Sequence, residues 1–207
     1  MDKKKVLIVE DQVLVRKFIE NALADSDRYE ASFSIKNADL ADVYCQKNEI
    51  DLILMDVYTD LGASGLEAAA RIKKQYPEIK IIVITSLPEF SFIKRAREIG
   101  VESFMYKEDE ANSLISIMDR TMAGESVYPD KTPEVKIGLA SSYDFSEREL
   151  EVLRELTSGN TNEEIAAKLC ISTATVKTHI ANLMDKTGFK SRTELAIKAR
   201  ELGLVIL

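Results

Sequence analysis

From residue 5 to residue 123, short apolar runs alternate with stretches whose apolar positions recur at helical spacing. The runs are KVLIV (5–9), YEASFS (29–34), DLILMD (51–56), KIIVIT (80–85) and SFMY (103–106). Each is followed by ten or more residues of helical pattern; after the first, Val13, Phe18, Ile19, Ala22 and Leu23 mark one helix face. Strand and helix in strict alternation predict a parallel sheet with helices on both faces, and right-handed crossovers restrict its topology. Runs such as LILM and IIVI lack alternation because central parallel strands are buried on both sides. Prolines in YPEIK and LPEF fall outside helix interiors, where a missing N–H is harmless. The expectation is a doubly wound α/β domain of five strand-helix units over residues 1–122.

The pattern dissolves over 123–144, where prolines, glycines and serines predict a linker. Residues 145–207 then read as a smaller all-α domain of four short helices. Ser146 with Glu149, and Thr161 with Glu164, have capping-box spacing, and Phe145 with Leu150 the spacing of a hydrophobic staple. A third helix follows Ser172, and a fourth runs from about Arg192 to Leu202 before Gly203 stops it.

Charge changes this picture only when it is localised. The chain of 207 residues carries a formal charge of −7, which by itself argues against nucleic acid. Residues 1–144 hold the whole excess, 19 basic against 26 acidic side chains, whereas 145–207 are neutral with nine of each. Between Thr173 and Arg192 there are four basic residues and one acid, enough for a local basic strip. The first residues offer too short an apolar run for a signal peptide, and no segment has membrane-spanning length, so a cytoplasmic protein without membrane attachment is expected. Cys45 and Cys170 lie far apart without metal-ligand spacing and read as two buried thiols.

The candidate chemistry lies at the carboxyl ends of the predicted strands, where open parallel sheets bind ligands. Glu10 and Asp11 end the first run, Asp56 the third, Thr85 the fourth, and Lys107 follows the fifth. Carboxylates gathered there repel one another and require a cation. A hard divalent ion fits, and magnesium, which takes one or two protein carboxylates along with phosphate oxygens, matches Asp11 and Asp56 with Glu10 in support. Lys107 and Thr85 are then placed to hold phosphoryl oxygens.

In these residues the chain resembles a two-component response regulator receiver of flavodoxin-like fold: VLIVED with its acidic pair, DLILMD with a phosphoacceptor aspartate, IIVITS with a switch hydroxyl, and SFMYK with its lysine. Read singly, Thr85 is a turn hydroxyl, Phe104 a core aromatic and Lys107 a solvated lysine; four motifs in order at the right strand ends are specific. The resemblance covers residues 4 to about 122. It implies that Asp56 takes a phosphoryl group from a sensor histidine kinase or a small phosphodonor, with Mg²⁺ held by Glu10, Asp11, Asp56 and the Tyr58 backbone carbonyl. Thr85 and Phe104 are the implied switch residues. The domain would promote only its own phosphorylation and dephosphorylation, so it is not an enzyme in the ordinary sense. The segment after Asp56 departs from the family: Thr59 and Asp60 stand where many relatives have Met-Pro, and Gly65 comes one residue late. A competing class, the aspartyl-phosphate hydrolase, wants a second aspartate where this chain has Tyr58.

On the longer tail helix Val176, Ile180 and Leu183 form an apolar stripe. The opposite side shows Ala174, Thr178 and Ala181 flanked by Thr175, Lys177 and Asn182, small and donor residues suited to base edges in the major groove. With SERELEVL, EEIAAKL and TVKTHIANL, the tail resembles a LuxR-type helix-turn-helix, and the whole chain the NarL/FixJ class of regulators. That resemblance implies base contacts from Lys177, Thr178 and Asn182 and phosphate contacts from Thr175 and Lys186. His179 reads as a packing or phosphate-facing residue. Leu195, Ala199 and Leu202 on the fourth helix are the expected dimer seam, so the expected partners are promoter DNA, a sensor kinase and a second copy of the chain. The alternative is an orphan regulator that binds DNA without phosphorylation.

Overall fold

The computed structural model describes residues 2–89, 91–107 and 114–205. It divides into two compact units, Met1–Ser86 with Ser91–Asp130, and Leu87–Phe90 with Lys131–Leu207.

The first unit is the expected doubly wound sheet. Strands β1 (Lys4–Val9), β2 (Tyr29–Ile35), β3 (Leu52–Asp56), β6 (Lys80–Thr85) and β7 (Ser103–Tyr106) are all parallel, in the order β2-β1-β3-β6-β7. Helices α1 (Val13–Ala24), α2 (Ala41–Lys47), α3 (Gly65–Gln75), α4 (Ser91–Ile99) and α5 (Leu114–Met122) cover it. Side chains alternate across a strand, so each apolar run feeds two cores. Val6, Ile8, Leu52, Leu54, Ile82 and Ile84 pack with Ile19 and Leu23 of α1 and Ile117 and Met118 of α5. Their neighbours Leu7, Val9, Ile53, Met55, Ile81 and Val83 are buried on the opposite face, with Leu66, Ala69 and Ile72 of α3. Burial on both faces is why these runs show no polar alternation.

The atypical segment after Asp56 forms a miniature antiparallel hairpin, β4 (Tyr58–Thr59) with β5 (Ala63–Ser64). Its three-residue tip absorbs the extra residue by placing Leu61 at φ 64° and Gly62 at φ 74°, the left-handed geometry that such loops need. The hairpin is tied to the end of β2: the Asn37 amide donates to the Asp60 carbonyl at 2.9 Å and the Ala38 N–H to Thr59 Oγ1 at 2.9 Å. Ser64 caps α3 by accepting from the Glu67 N–H.

The second unit holds α6 (Glu147–Thr157), α7 (Asn162–Leu169), α8 (Thr173–Thr187) and α9 (Arg192–Glu201). Both expected capping boxes are present, and Ser172 and Ser191 cap the remaining two starts. The stretch read as a linker is divided between the units. Val127 accepts the Phe104 N–H beside β7, whereas residues 136–141 form a hairpin, β8 (Lys136–Ile137) with β9 (Ala140–Ser141), whose Ile137 lies in the helical core.

Two expectations are corrected here. Leu195 and Ala199 are fully enclosed in the helical domain's own core, so they are not free to form a seam; Leu202, just after α9, is exposed, as is Ile197 within it. Cys45 is buried, its thiol pushed up to about 11 by burial and then by Asp42, but Cys170 is exposed. It ends α7 in a left-handed conformation, φ 52°, which turns its side chain out of the core.

Candidate functional site

Strand register assembles the acidic site. Val9 pairs with Met55 across β1 and β3, so the next residues on, Glu10 and Asp56, emerge side by side. Asp56 pairs with Ile84 and Thr85 with Tyr106, while the Lys107 N–H donates to the Thr85 carbonyl at 2.9 Å. The reversal of strand order falls between β1 and β3, because β2 lies on the other side of β1. That is where an open α/β sheet leaves a crevice.

Glu10 and Asp56 are almost wholly buried, and Asp11 is half-buried; ligand oxygens of the three lie within 4.8 Å of one another. The Lys107 ammonium bonds both buried carboxylates, 2.6 Å to Glu10 and 2.7 Å to Asp56. Arg16 reaches back from α1 to the Glu10 and Asp11 carbonyls at 2.8 and 3.3 Å, fixing the turn that carries them. Burial pushes the Asp56 carboxyl up to about 6; Lys107 opposes this and the neighbouring Glu10 reinforces it. For Lys107 burial works against the charged form, yet its two carboxylate partners prevail and hold it above its ordinary value. Two of the three carboxylates thus share one ammonium and Asp11 stands beside them, an all-oxygen donor set with negative charge to spare. It fits a hard divalent cation.

The hairpin leaves Tyr58 directed toward this site. The Gly65 N–H bonds the Val57 carbonyl, so Tyr58 and Ser64 form the non-bonded pair of the ladder, and the Tyr58 main-chain groups point away from Ser64. Its N–H faces Asp56 Oδ1 at 3.5 Å. Asp60 is exposed and stands outside the three-acid cluster. Gly65 itself is dictated by close approach, since a Cβ there would lie 1.9 Å from the Asp56 carbonyl oxygen.

Thr85 is fully buried, and Phe104 nearly so. Phe104 stacks on Tyr128 at 6.3 Å, the Arg97 guanidinium lies over the outer face of Tyr128 at 4.0 Å, and the Tyr128 hydroxyl donates to the Val101 carbonyl at 2.7 Å. Sequence reasoning missed Tyr128 and Arg97, because their partner lies more than twenty residues from Tyr128 and no local pattern links them.

In the helical unit, α8 buries Val176, Ile180 and Leu183 and exposes Ala174, Thr175, Lys177, Thr178, Ala181 and Asn182. The Thr178 hydroxyl donates to the Ala174 carbonyl and the Thr175 N–H to Ser172 Oγ, so both side chains are locally oriented. His179 is half-buried, with Nδ1 unpartnered among the described residues. Lys186 differs from the other candidates: its ammonium bonds both Glu149 carboxylate oxygens, at 2.9 and 2.8 Å, and the Asp144 carbonyl at 2.9 Å.

Comparison with known proteins agrees with this geometry. The family model for the response regulator receiver domain matches residues 6–119, and that for bacterial regulatory proteins of the luxR family matches 144–199. The response regulator protein VraR of Staphylococcus epidermidis is 34% identical over 211 residues, covering 97% of this chain and 98% of its own. The chain belongs to the LuxR-type response regulators. VraR of Staphylococcus aureus is likewise 34% identical over 209 residues, with the same coverage. Among solved structures, two RcsB dimers bound to two parallel DNAs share the fold at a TM-score of 0.64 and 21% identity, over 97% of this chain and 100% of that one. RcsB from Salmonella enterica serovar Typhimurium, bound to a promoter with a phosphomimetic, gives 0.64 at 19% identity, over 96% and 100%. The regulator is therefore a DNA-binding member of a two-component system, with a receiver and a LuxR-type domain. No described helix is long and apolar enough to cross a membrane.

Proposed function

We propose that Asp56 accepts a phosphoryl group from a sensor histidine kinase or a small phosphodonor, and that this modification controls dimerisation and DNA binding in the cytoplasm. One observation carries the reading: three carboxylates gather at the strand-order reversal around a single ammonium, which bonds only two of them. A structural ion pair would be balanced, whereas this cluster retains an unmet demand for positive charge. Mg²⁺ is the cation it fits, held by Glu10, Asp11, Asp56 and the Tyr58 carbonyl. When bound, it supplies charge neutralisation for phosphoryl oxygens.

The protein's own groups do the rest. An Asp56 carboxylate oxygen forms the bond to phosphorus as the phosphorus–nitrogen bond to the donor histidine breaks, its electron pair staying on the imidazole. Lys107, already placed at both buried carboxylates, shifts one contact to a phosphoryl oxygen. Thr85 and Phe104 are the residues whose contacts differ between states, as a population shift requires. In the helical unit, Lys177, Thr178 and Asn182 face base edges and Thr175 a phosphate.

The test is direct. Wild type and Asp56→Asn are incubated with magnesium and acetyl phosphate, and intact mass and DNA binding are measured. One phosphoryl adduct on wild type, absent from the variant, with tighter DNA binding, is the expected result. Absence of an adduct on wild type, with DNA binding intact, favours the orphan regulator, a reading to which the unusual Tyr58–Gly65 hairpin lends its only support.

A further inference from the structure

An ammonium has three donors, and those of Lys186 meet three oxygens: both of Glu149 and the Asp144 carbonyl. Glu149 is buried, its side chain 5% exposed, and the same carboxylate accepts the Ser146 N–H at 2.8 Å at the start of α6. Burial alone would raise this carboxyl, but Lys186 and the two Ser146 bonds outweigh it and hold the group below the usual carboxylate range. The next two residues of the chain are fixed as well. The Thr187 carbonyl accepts the Leu139 N–H at 2.9 Å, and a Cβ on Gly188 would meet Leu139 Cδ1 at 2.8 Å. The C-terminal end of α8 is therefore anchored at two consecutive positions, Lys186 by the start of α6 and Thr187 by the β8–β9 hairpin, with Gly188 packed close behind.

Lys186 is itself exposed while Glu149 is enclosed, so for Lys186 to reach a DNA phosphate its ammonium would have to give up three oxygens and leave the enclosed Glu149 carboxylate with only its cap donors. A solvated phosphate contact offers less in return. Among the described residues no ion pair holds Lys177, Lys190 or Arg192, although the Arg192 guanidinium bonds Asn162 and the Asn160 carbonyl, so Lys177 and Lys190 are the least committed cations of this strip.

We propose that Lys186 is a positioning residue for DNA binding: locked to Glu149 and the Asp144 carbonyl, it fixes the end of the recognition helix α8 and neutralises no DNA phosphate itself. The inference rests on the reading of α8 as the groove-facing helix.

The experiment measures binding of the full-length chain to a fluorescein-labelled mixed-sequence duplex, between about 50 and about 200 mM salt. All variants are assayed well below their unfolding midpoints, with foldedness checked by circular dichroism. Lys186→Met is expected to bind about tenfold more weakly, with an unchanged slope of log K against log salt. Glu149→Gln, which preserves an acceptor for the cap and every lysine, is expected to bind more weakly too. The penalty of Lys177→Ala shrinks in the Lys186→Met background, because a displaced helix no longer presents Lys177 correctly. A purely structural role would leave the folded variants' affinity and that coupling untouched. A slope reduced by about 0.9 in Lys186→Met, additive with Lys177→Ala, would overturn the proposal. So would a Glu149→Gln variant that binds as tightly as wild type or tighter, a result that decides the matter even where Lys186→Met does not fold. If Lys177→Ala alone leaves binding unchanged, it is the α8 reading that fails.

Discussion

The closest approach in the receiver supplies its sharpest prediction, Gly65→Ala. By local rules the substitution should help: Gly65 is the first residue of α3, its φ is not left-handed, and alanine is the better helix former by about 1 kcal/mol. The tertiary setting reverses the sign. The new methyl would stand 1.9 Å from the Asp56 carbonyl oxygen and 2.9 Å from Met55 Cγ, whereas a carbon meets a carbonyl oxygen at about 3.3 Å or more. The end of β3 cannot retreat, because it is hydrogen-bonded between β1 and β6. The start of α3 must therefore move by more than about 1 Å, stretching the 2.9 Å bond from the Gly65 N–H to the Val57 carbonyl. A weakened hydrogen bond costs about 1 kcal/mol and overpacking about 1–3 kcal/mol, leaving a net loss of about 2 kcal/mol after the helix-propensity gain. For a unit of this size that lowers the receiver's melting temperature by about 5–10 °C. Differential scanning calorimetry reads the shift, and the initial rate of phosphoryl incorporation from acetyl phosphate should fall with it, since Asp56 is the residue crowded. A Gly65→Ala protein as stable as wild type, or more stable, would refute the packing of α3 against the acceptor strand.

Three further outcomes follow from the same geometry. Lys107→Met leaves Glu10 and Asp56 buried without a cation and should cost about 3–5 kcal/mol at neutral pH; urea unfolding at neutral and mildly acid pH should show the deficit shrinking as Asp56, already raised by burial, protonates. Because Glu149 is held below its ordinary 4.5, it contributes stability that is complete above that value and is lost as pH falls through its lower folded-state pKa. Denaturant midpoints followed through Phe145 and its neighbours by NMR should decline there in wild type and less in Glu149→Gln. Tyr128→Ala removes a ring stack, a cation–π contact and a hydrogen bond, so receiver stability should drop by about 2–4 kcal/mol; a drop below about 0.5 kcal/mol would show that the segment after α5 does not pack on β7.

What the sequence made legible was whatever a short window determines. Five apolar runs, two capping boxes and the apolar stripe of α8 depend on residues a few positions apart, and each reappears in the structure. The acidic cluster was legible for a different reason: parallel strands in register bring their carboxyl ends to one rim, so Glu10, Asp56 and Lys107 converge by topology. The dimer seam illustrates the limit. Leu195 and Ala199 have the spacing of an apolar stripe, but a stripe is silent about whether a second copy or the domain's own core covers it; here the core does. Residues 136–141 read as linker because a two-residue strand is too short for any period to show. Lys186 was legible as a basic residue on the correct helix, and only the fold reveals Glu149 against it.

Two acid–lysine clusters of this chain, at Glu149 and at Asp56, show how a structural ion pair differs from a site awaiting a ligand. At Glu149 one carboxylate meets one ammonium and the N–H and hydroxyl of a helix cap. Donors satisfy the charge, and the carboxyl sits below its ordinary value despite burial. At Asp56 the same chemical parts are arranged with the opposite balance: two buried carboxylates, with a third beside them, share one ammonium, and the acceptor carboxyl is raised. The acceptor carboxylates Glu149 and Asp56 are each 5% exposed, although Lys186 is far more open to solvent than Lys107, so burial of the carboxylate is not what separates the clusters; the ratio of acids to donors is. A complete cluster loses by exchanging its lysine for an outside anion, which is why Lys186 stays with Glu149. An incomplete one gains from every cation brought to it, and Lys107 can then turn toward a phosphoryl oxygen without abandoning a carboxylate to the core.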